Sequence, residues 1–488
     1  MQLKDLDNKK IAILGLGAEN YAVLKFLFGK VKGAQITVCD KRSNQELGDK
    51  YKELTKKVSW NLGATFNKKL YQYDILFRSP GWPLDCPGIK EAIARTNADL
   101  TRTHAERAAR TMLYSPIRLF FDLCPTKKII GVTGTKGKGT TASLIYEIIR
   151  QAGKRVWLGG NIGIAPFEFI KKIKDNDWAV LELSSFQLED LETSPRIAVI
   201  TNFYREHLAS ADPNNPNFHS SLLKYRNAKL NILKWQKAGD LAVLNRRFGG
   251  KIGRRRSKSQ LLYFTKSTLQ SRLPGEHNRE NIAAAETVAR LMNIKPAVIA
   301  KAVANFKGLE HRLEMVREIK GVHPHTRSVY SKNQGGISSR ASGLPSPRLS
   351  SRNSGVGVKY YNDSFATTPE STIIAIKSFK PPIVLLAGGA DKGANFRSMA
   401  QAIKTRVKFT VLFKGLATPR IEKELRRVGY PKSQVKVVAD IKNAVKLARK
   451  KIGKTGIVLM SPACASFGMF KNYKERGALF KREVKKIT

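Results

Sequence analysis

One stretch limits the possible folds more than any other: Gly131-Val132-Thr133-Gly134-Thr135-Lys136-Gly137-Lys138-Gly139-Thr140-Thr141. An apolar run, KKIIGV, leads into it and the helix-patterned TASLIYEIIR follows, so these glycines mark a strand-to-helix turn. In such a turn backbone N–H groups can close around phosphates, the helix N-terminus adds a positive end, and Lys138 can reach the terminal phosphates. A strict P-loop has Ser or Thr directly after the lysine. Here Gly139 intervenes, which makes Thr140 the expected magnesium ligand and Thr141 the second choice. Nucleotide contact is expected along Gly134, Thr135, Lys136, Gly137, Lys138, Gly139, Thr140 and Thr141. A Gly-rich turn beside a solvated lysine is the bland alternative, and the flanking strand and helix count against it.

A phosphate turn of this kind belongs to a parallel α/β sheet, and the rest of the chain supplies the alternation. IAILGLG and ITVCD flank a helical pattern near the N-terminus, strand-like runs recur at 178–184, 196–202 and 240–245, and a third set lies at 381–389, 409–415 and 456–461. At 488 residues the chain exceeds what one core serves. We expect an α/β protein of three domains. Residues 1–115 form a Rossmann-like nucleotide-diphosphate-binding domain, 116–308 a P-loop ATPase-type domain and 309–488 a second Rossmann-like domain. From 323 to 357 the sequence is rich in Ser, Gly, Pro and Arg and has no acid, so it is expected to be a disordered basic insert.

Within this frame Gly15-Leu16-Gly17 follows a strand, and Asp40 ends the next one. The third glycine of a dinucleotide fingerprint is missing, so the turn suits a diphosphate, or no ligand at all, rather than NAD in particular. Glu182 and His207 each follow a strand, where ligand sites of such sheets gather, and a carboxylate with an imidazole there can hold magnesium. Taken singly, a surface salt bridge for Glu182 or a hydrogen-bonded structural histidine for His207 is the stronger reading.

Composition bears on partners and compartment. With 88 Lys plus Arg against 38 Asp plus Glu the formal charge is +50, enough to attract polyanions non-specifically. A basic nucleic-acid-binding protein on a degenerate scaffold is therefore a rival, although no specific nucleic-acid partner is expected. Cys39, Cys86, Cys124 and Cys464 form no CxxC pair, so neither a zinc site nor a disulfide framework is indicated. The N-terminus lacks a signal-peptide pattern and no run reaches the roughly 20 apolar residues of a membrane span. A cytoplasmic monomer is expected.

Further motifs follow in order: Ser79-Pro80-Gly81, Gly160-Asn161-Ile162-Gly163, ELSSFQLE, Gly275-Glu276-His277-Asn278 with Asn281, Gly308-Leu309-Glu310-His311-Arg312, Asn362-Asp363-Ser364 with Thr367, Asp391-Lys392-Gly393, and Ser461 to Phe467. With the phosphate loop they resemble the Mur ligase family over nearly the whole chain, and most specifically its D-glutamate-adding member. The resemblance implies ATP and two magnesium ions, with UDP-N-acetylmuramoyl-L-alanine and D-glutamate as substrates in peptidoglycan precursor synthesis. The substrate carboxylate would attack the ATP γ-phosphate, and the glutamate amine would then attack the acyl phosphate. By resemblance Lys138, His207 and Lys229 are catalytic, with Thr140, Glu182, His207 and Lys229, the last as a carbamate, holding magnesium. Asn278, Arg312 and Asp363 would join the ATP site. Gly15, Leu16, Gly17, Asp40, Arg42, Ser79, Pro80, Gly81 and Asn161 would bind the UDP substrate, and Thr367, Lys392, Ser466, Phe467 and Tyr473 the D-glutamate.

The chain also departs from the family pattern. Phe365 stands where many relatives have lysine, Gly468 replaces an acid, and Glu206 and Ala209 alter the usual Asp-His-Leu-Asp run. Gly139 is shared with folylpolyglutamate synthases, which leaves another ligase of the same superfamily as the nearest alternative.

Overall fold

The computed structural model describes residues 1–54, 57–99, 111–206, 208, 217–249, 258–320, 357–391 and 393–487. His207, Lys392 and the predicted insert up to residue 356 lie outside them.

Strands buried on both faces have no reason to alternate, and the apolar runs of the sequence become such strands. The first sheet contains β1 (Lys10–Leu14), β2 (Gln35–Asp40), β3 (Ser59–Leu62), β4 (Ile75–Arg78) and β5 (Met112–Tyr114) in the order β3-β2-β1-β4-β5, with every pair parallel. The second contains β6 (Ile129–Thr133), β7 (Val156–Gly160), β8 (Trp178–Glu182), β9 (Ile197–Ile200), β10 (Leu241–Asn245) and β11 (Gln260–Phe264) in the order β11-β10-β9-β6-β8-β7, also parallel. Both orders reverse direction at a central strand, β1 or β6, and the crevice outside the carboxyl end of such a strand is where ligands bind.

These two sheets lie in one compact unit, Met1–Phe306. A single apolar cluster explains why: it runs from Ile11, Ile13 and Phe77 of the first sheet through Phe120 to Phe167 and Phe169, which follow β7, and on to Leu181 and Ala198 of the second sheet. The ring centroids of Phe26 and Phe167 are 5.0 Å apart, and Phe120 lies 6.1 and 6.0 Å from Phe167 and Phe169. The link between the sheets is the helix Pro116–Leu123, started by Ser115, whose side chain accepts from the Arg118 amide, with Pro116 in the first turn. The other face of the second sheet is covered by helices Lys138–Gln151, Glu276–Leu291 and Pro296–Asn305.

The second unit, Lys307–Thr488, carries β12 (Glu314–Lys320), β13 (Gly357–Asn362), β14 (Ile383–Ala387), β15 (Val407–Phe413), β16 (Val435–Val438) and β17 (Gly456–Met460). Their order is β12-β13-β17-β14-β15-β16, and only β12 is antiparallel to its neighbour. Apolar clusters cover both faces. Lys320 pairs with Gly357, so the described residues that flank the basic insert are neighbours on adjacent antiparallel strands. The described residues thus form three sheets of an α/β architecture.

Candidate active site

The phosphate turn is held open by the ends of neighbouring elements. After β6 the chain takes φ of +142° at Gly134 and +82° at Gly137, values that side chains rarely adopt. Space is as restrictive as strain: a Cβ on Gly134 would stand 2.0 Å from Thr201 Oγ1, and one on Gly137 would stand 2.1 Å from Asn281 Oδ1. The loop between them is pinned to the end of β9. Thr135 N donates to the Asn202 carbonyl at 3.0 Å, Lys136 N to Asn202 Oδ1 at 2.8 Å, and Thr201 Oγ1 to the Lys136 carbonyl at 2.7 Å. Thr135 Oγ1 bonds the Tyr225 hydroxyl at 2.8 Å. The helix Lys138–Gln151 starts at Gly137 with no side-chain cap, which leaves its first N–H groups for an anion. Lys138 Nζ donates to the Thr135 carbonyl at 3.0 Å, so it folds back over the turn. Asn278 reaches this place through Asn281, whose Nδ2 donates to Asn278 Oδ1 at 2.9 Å.

Beside the turn sit an acid and a lysine that are almost fully buried. Glu182 ends β8 and is 2% exposed. Its Oε1 accepts from Asn161 Nδ2 at 2.8 Å, while Oε2 is buried without a hydrogen-bond partner. Such an oxygen calls for a cation. Among the described residues no three His, Cys, Asp or Glu side chains cluster to hold a metal, but Glu182 is paired with Val132 of β6, the strand that leads into the phosphate turn. Thr141 is fully buried, and its Oγ1 also has no hydrogen-bond partner. Hard oxygen donors of this kind fit magnesium. Lys229, on helix Leu222–Lys234, is 1% exposed and donates to the Gly134 carbonyl at 2.8 Å. Burial pushes its ammonium well below the usual lysine range and Lys138 adds to this, against the charges of Glu206 and Glu182.

A second turn forms on the first sheet. Gly15 has φ of +81°, and a Cβ there would lie 2.6 Å from Ser79 Oγ, so the Gly15 turn and the Ser79-Pro80-Gly81 turn touch. Asp40 is tied down inside this site: Oδ2 accepts from the Leu16 amide at 2.7 Å, and Arg42 grips both oxygens at 2.9 and 2.8 Å. Burial favours the neutral acid, but Arg42 and the backbone amides outweigh it and hold the carboxyl below its usual range. Arg42 also donates to the Leu16 carbonyl at 3.0 Å. Asp40 and Arg42 thus brace Leu16 and leave Gly17, which is exposed, at the mouth.

In the second unit the predicted residues gather at the carboxyl ends of β13 and β17. Asp363 Oδ2 accepts from Ser461 Oγ at 2.8 Å and Oδ1 from the Leu313 amide at 3.2 Å. Burial raises its carboxyl to about 7, against these bonds and the charges of Arg312 and Arg476. Arg312 lies over the Phe365 ring at 3.8 Å, and Phe365 meets Tyr473 edge-on at 5.0 Å. Ser466 is buried, Thr367 partly buried and Phe467 half exposed.

This geometry can be set beside known proteins. Family models match in chain order: the Mur ligase MurD-like N-terminal domain over 9–98, the Mur ligase middle domain over 132–261, and the Mur ligase glutamate ligase domain over 348–464. The UDP-N-acetylmuramoylalanine–D-glutamate ligase of Acetivibrio thermocellus is 34% identical over 523 aligned positions, covering 99% of this chain and 98% of that one. The chain belongs to the Mur ligase family. The enzyme of the same name from Symbiobacterium thermophilum is 33% identical, with 98% of each chain covered. Among solved Mur ligases, MurC of Thermotoga maritima has a TM-score of 0.53 at 16% identity, covering 98% of this chain and 99% of that one. MurF of the same organism, in complex with ADP, has a TM-score of 0.54 at 15% identity, covering 99% and 97%. At such identities these two speak for the fold.

This Mur ligase also uses residues that its motifs do not reveal. Asn202 and Thr201 shape the phosphate turn, and Tyr225 buttresses it. Lys136 pairs with Glu206, one of the departures from the family run. Arg476, fully buried, donates to Ser364 Oγ at 3.0 Å, the Ser364 carbonyl at 2.9 Å and the Cys464 carbonyl at 3.1 Å. Burial lowers its guanidinium to about 10, against Cys464 and Asp363. The only local trace in the sequence is Gly477 within a helix-patterned run, and the structure gives its reason: a Cβ there would meet His311 Nδ1 at 2.2 Å.

Proposed function

We propose that this Mur ligase adds D-glutamate to UDP-N-acetylmuramoyl-L-alanine with hydrolysis of ATP to ADP and phosphate, as its full-length relatives are named to do. The observation that carries the chemistry is the meeting of an uncapped helix N-terminus, Lys138, the unpartnered Glu182 oxygen and the buried Lys229 at one sheet end. Phosphoryl transfer needs fixed positive charge and oriented N–H groups more than covalent chemistry, and this site offers both. We assign Gly134 to Thr141 and Asn278 to ATP, Arg312 and Asp363 to the same nucleotide by family resemblance alone, and three domains at 1–115, 116–308 and 309–488.

The acceptor carboxylate attacks the γ-phosphorus, and the bond to the β,γ-bridging oxygen breaks to release ADP. The D-glutamate amine then attacks the acyl carbon, loses a proton, and the tetrahedral intermediate expels phosphate. Lys138 stabilises charge on the moving phosphoryl group. Thr140, Thr141, Glu182 and a carbamylated Lys229 would hold magnesium, which when bound neutralises phosphate charge; His207 joins them by family resemblance. The depressed lysine supports carbamylation, since the neutral amine is the form that adds carbon dioxide. Gly15 to Gly17 and Ser79 to Gly81 hold the UDP end, and Thr367, Lys392, Ser466, Phe467 and Tyr473 the glutamate.

The test is phosphate release from ATP with UDP-N-acetylmuramoyl-L-alanine and either D- or L-glutamate. Turnover with the D-isomer alone is expected, and Lys138→Ala should lower it by about 10²–10³-fold with an unchanged Tm. Equal rates with both isomers, or turnover of a folate acceptor instead, would refute the assignment.

A further inference from the structure

Arg78 ends β4, directly before the Ser79-Pro80-Gly81 turn, and is completely buried. Its guanidinium spans two parts of the first unit. Nη1 donates to the Trp82 carbonyl at 2.8 Å, within its own turn. Nη2 donates to the Phe186 carbonyl at 2.8 Å and Nε to Asp190 Oδ2 at 2.9 Å, both in the segment that follows β8 and Glu182. Glu189 lies 4.0 Å from Nη1. A planar fork with five donors can bridge carbonyls and a carboxylate in this way; a lysine in its place keeps the charge and reaches only some of them.

A second bond fastens the same turn. Asn217 Nδ2 donates to the Pro80 carbonyl at 2.7 Å, and Asn217 is buried at the start of the segment leading to the helix that carries Lys229. The turn is rigid in itself, since Trp82 N donates to the Ser79 carbonyl at 3.0 Å and Ser79 N to the Leu14 carbonyl at 3.0 Å. One turn is therefore in contact with the Gly15 turn on one side. On the other it is bonded to the segments that present Glu182 and Lys229.

We propose that Arg78 and Asn217 are positioning residues for the acceptor: they hold the Ser79–Gly81 wall in register with the phosphate loop, so that a substrate held by its diphosphate at Gly15 presents its carboxylate at Lys138 and Glu182. The inference rests on the proposed reaction. Removing the guanidinium leaves two carbonyls and a carboxylate buried without their donor, so the turn must move to find water or new partners. A shift of an ångström there spoils the alignment of an extended substrate far more than it disturbs the phosphate turn, which is pinned separately by Thr201, Asn202 and Tyr225.

The experiment compares Arg78→Met, Arg78→Lys and Asn217→Ala with the wild type, by steady-state kinetics with each substrate varied and by amide hydrogen exchange. The acceptor KM should rise about tenfold in Arg78→Met, equivalent to about 1.4 kcal/mol, and by less in Asn217→Ala, while the ATP KM stays near its wild-type value. Arg78→Lys should recover part of the loss. The amides of Ser79, Gly81 and Trp82 should exchange faster in each variant, with those of the phosphate loop unchanged. Equal rises in both KM values, or wild-type exchange at the turn, would overturn the proposal. Should Arg78→Met fail to fold, Asn217→Ala decides, because it removes one bond and no charge. If the wild type does not turn over the muramoyl acceptor, the proposed reaction fails, and the exchange measurement still decides whether Arg78 and Asn217 fasten the turn.

Discussion

Alanine at Gly137 and at Gly153 would separate backbone strain from the demands of the phosphate site. Both glycines have positive φ, +82° and +74°, but a Cβ at Gly137 would meet Asn281 Oδ1 at 2.1 Å, whereas nothing lies within 4 Å of one at Gly153. Each substitution pays about 1–2 kcal/mol for an L-residue in the left-handed region. Gly137→Ala must also drive the Asn281 side chain away from its 2.9 Å bond to Asn278, another ~0.5–1.5 kcal/mol. At about 2–4 °C per kcal/mol for a body of this size, Gly153→Ala should lose a few degrees of Tm and Gly137→Ala several more. Nucleotide affinity separates them further. The phosphate turn and Asn278 move only in Gly137→Ala, which should weaken ATP binding by about tenfold or more in calorimetric titration, while Gly153→Ala binds normally. If Gly137→Ala binds ATP as the wild type does, the close approach of Asn281 is not what requires the glycine.

Three further outcomes are expected. Lys229→Ala should lose turnover and recover some of it with added acetate, whereas Lys229→Arg should stay inactive, because it keeps its positive charge and cannot form a carbamate; full activity in either returns Lys229 to a packing role. Glu19 accepts from Gln187, and burial raises its carboxyl from 4.5 to about 7, against that bond and the Arg78 charge. Because the folded pKa is the higher, its contribution to stability is present below 4.5 and lost as pH rises to about 7, so the Tm of Glu19→Gln relative to wild type should climb across that window; a flat difference would refute it. Replacing residues 323–356 by a short turn should leave ligase activity intact, since Lys320 already pairs with Gly357; a folded but inactive deletion would place the insert in the site.

What could be read from the sequence depended on whether a residue's role was local. The phosphate turn was legible because glycine spacing reports positive φ directly, and β6, β8, β9, β14 and β17 because interior parallel strands are unbroken apolar runs. β3, β5, β7, β11, β12 and β16 were missed at sheet edges, where one side needs no partner and a strand such as SWNL can be short or polar, and the interior β4 and β13 were missed too, because ILFR ends in a charge and GVKYYN carries a lysine among its tyrosines. Glu182 stood out as an acid ending an apolar strand. Arg78 did not, because Asp190, which gives it meaning, is 112 residues away. The grip of Arg42 and the Leu16 amide on both oxygens of Asp40 is an arrangement that no spacing in the sequence encodes.

The apolar cluster that runs unbroken from Ile11 through Phe120 to Leu181 has a consequence for selectivity. Close-packed interiors do not stretch, so the span from the Gly15 turn to the phosphate loop behaves as a ruler of fixed length. An acceptor too short or too long between its diphosphate and its carboxylate would reach one end and miss the other. Such a gauge rejects wrong acceptors by geometry, without a contact dedicated to each of them.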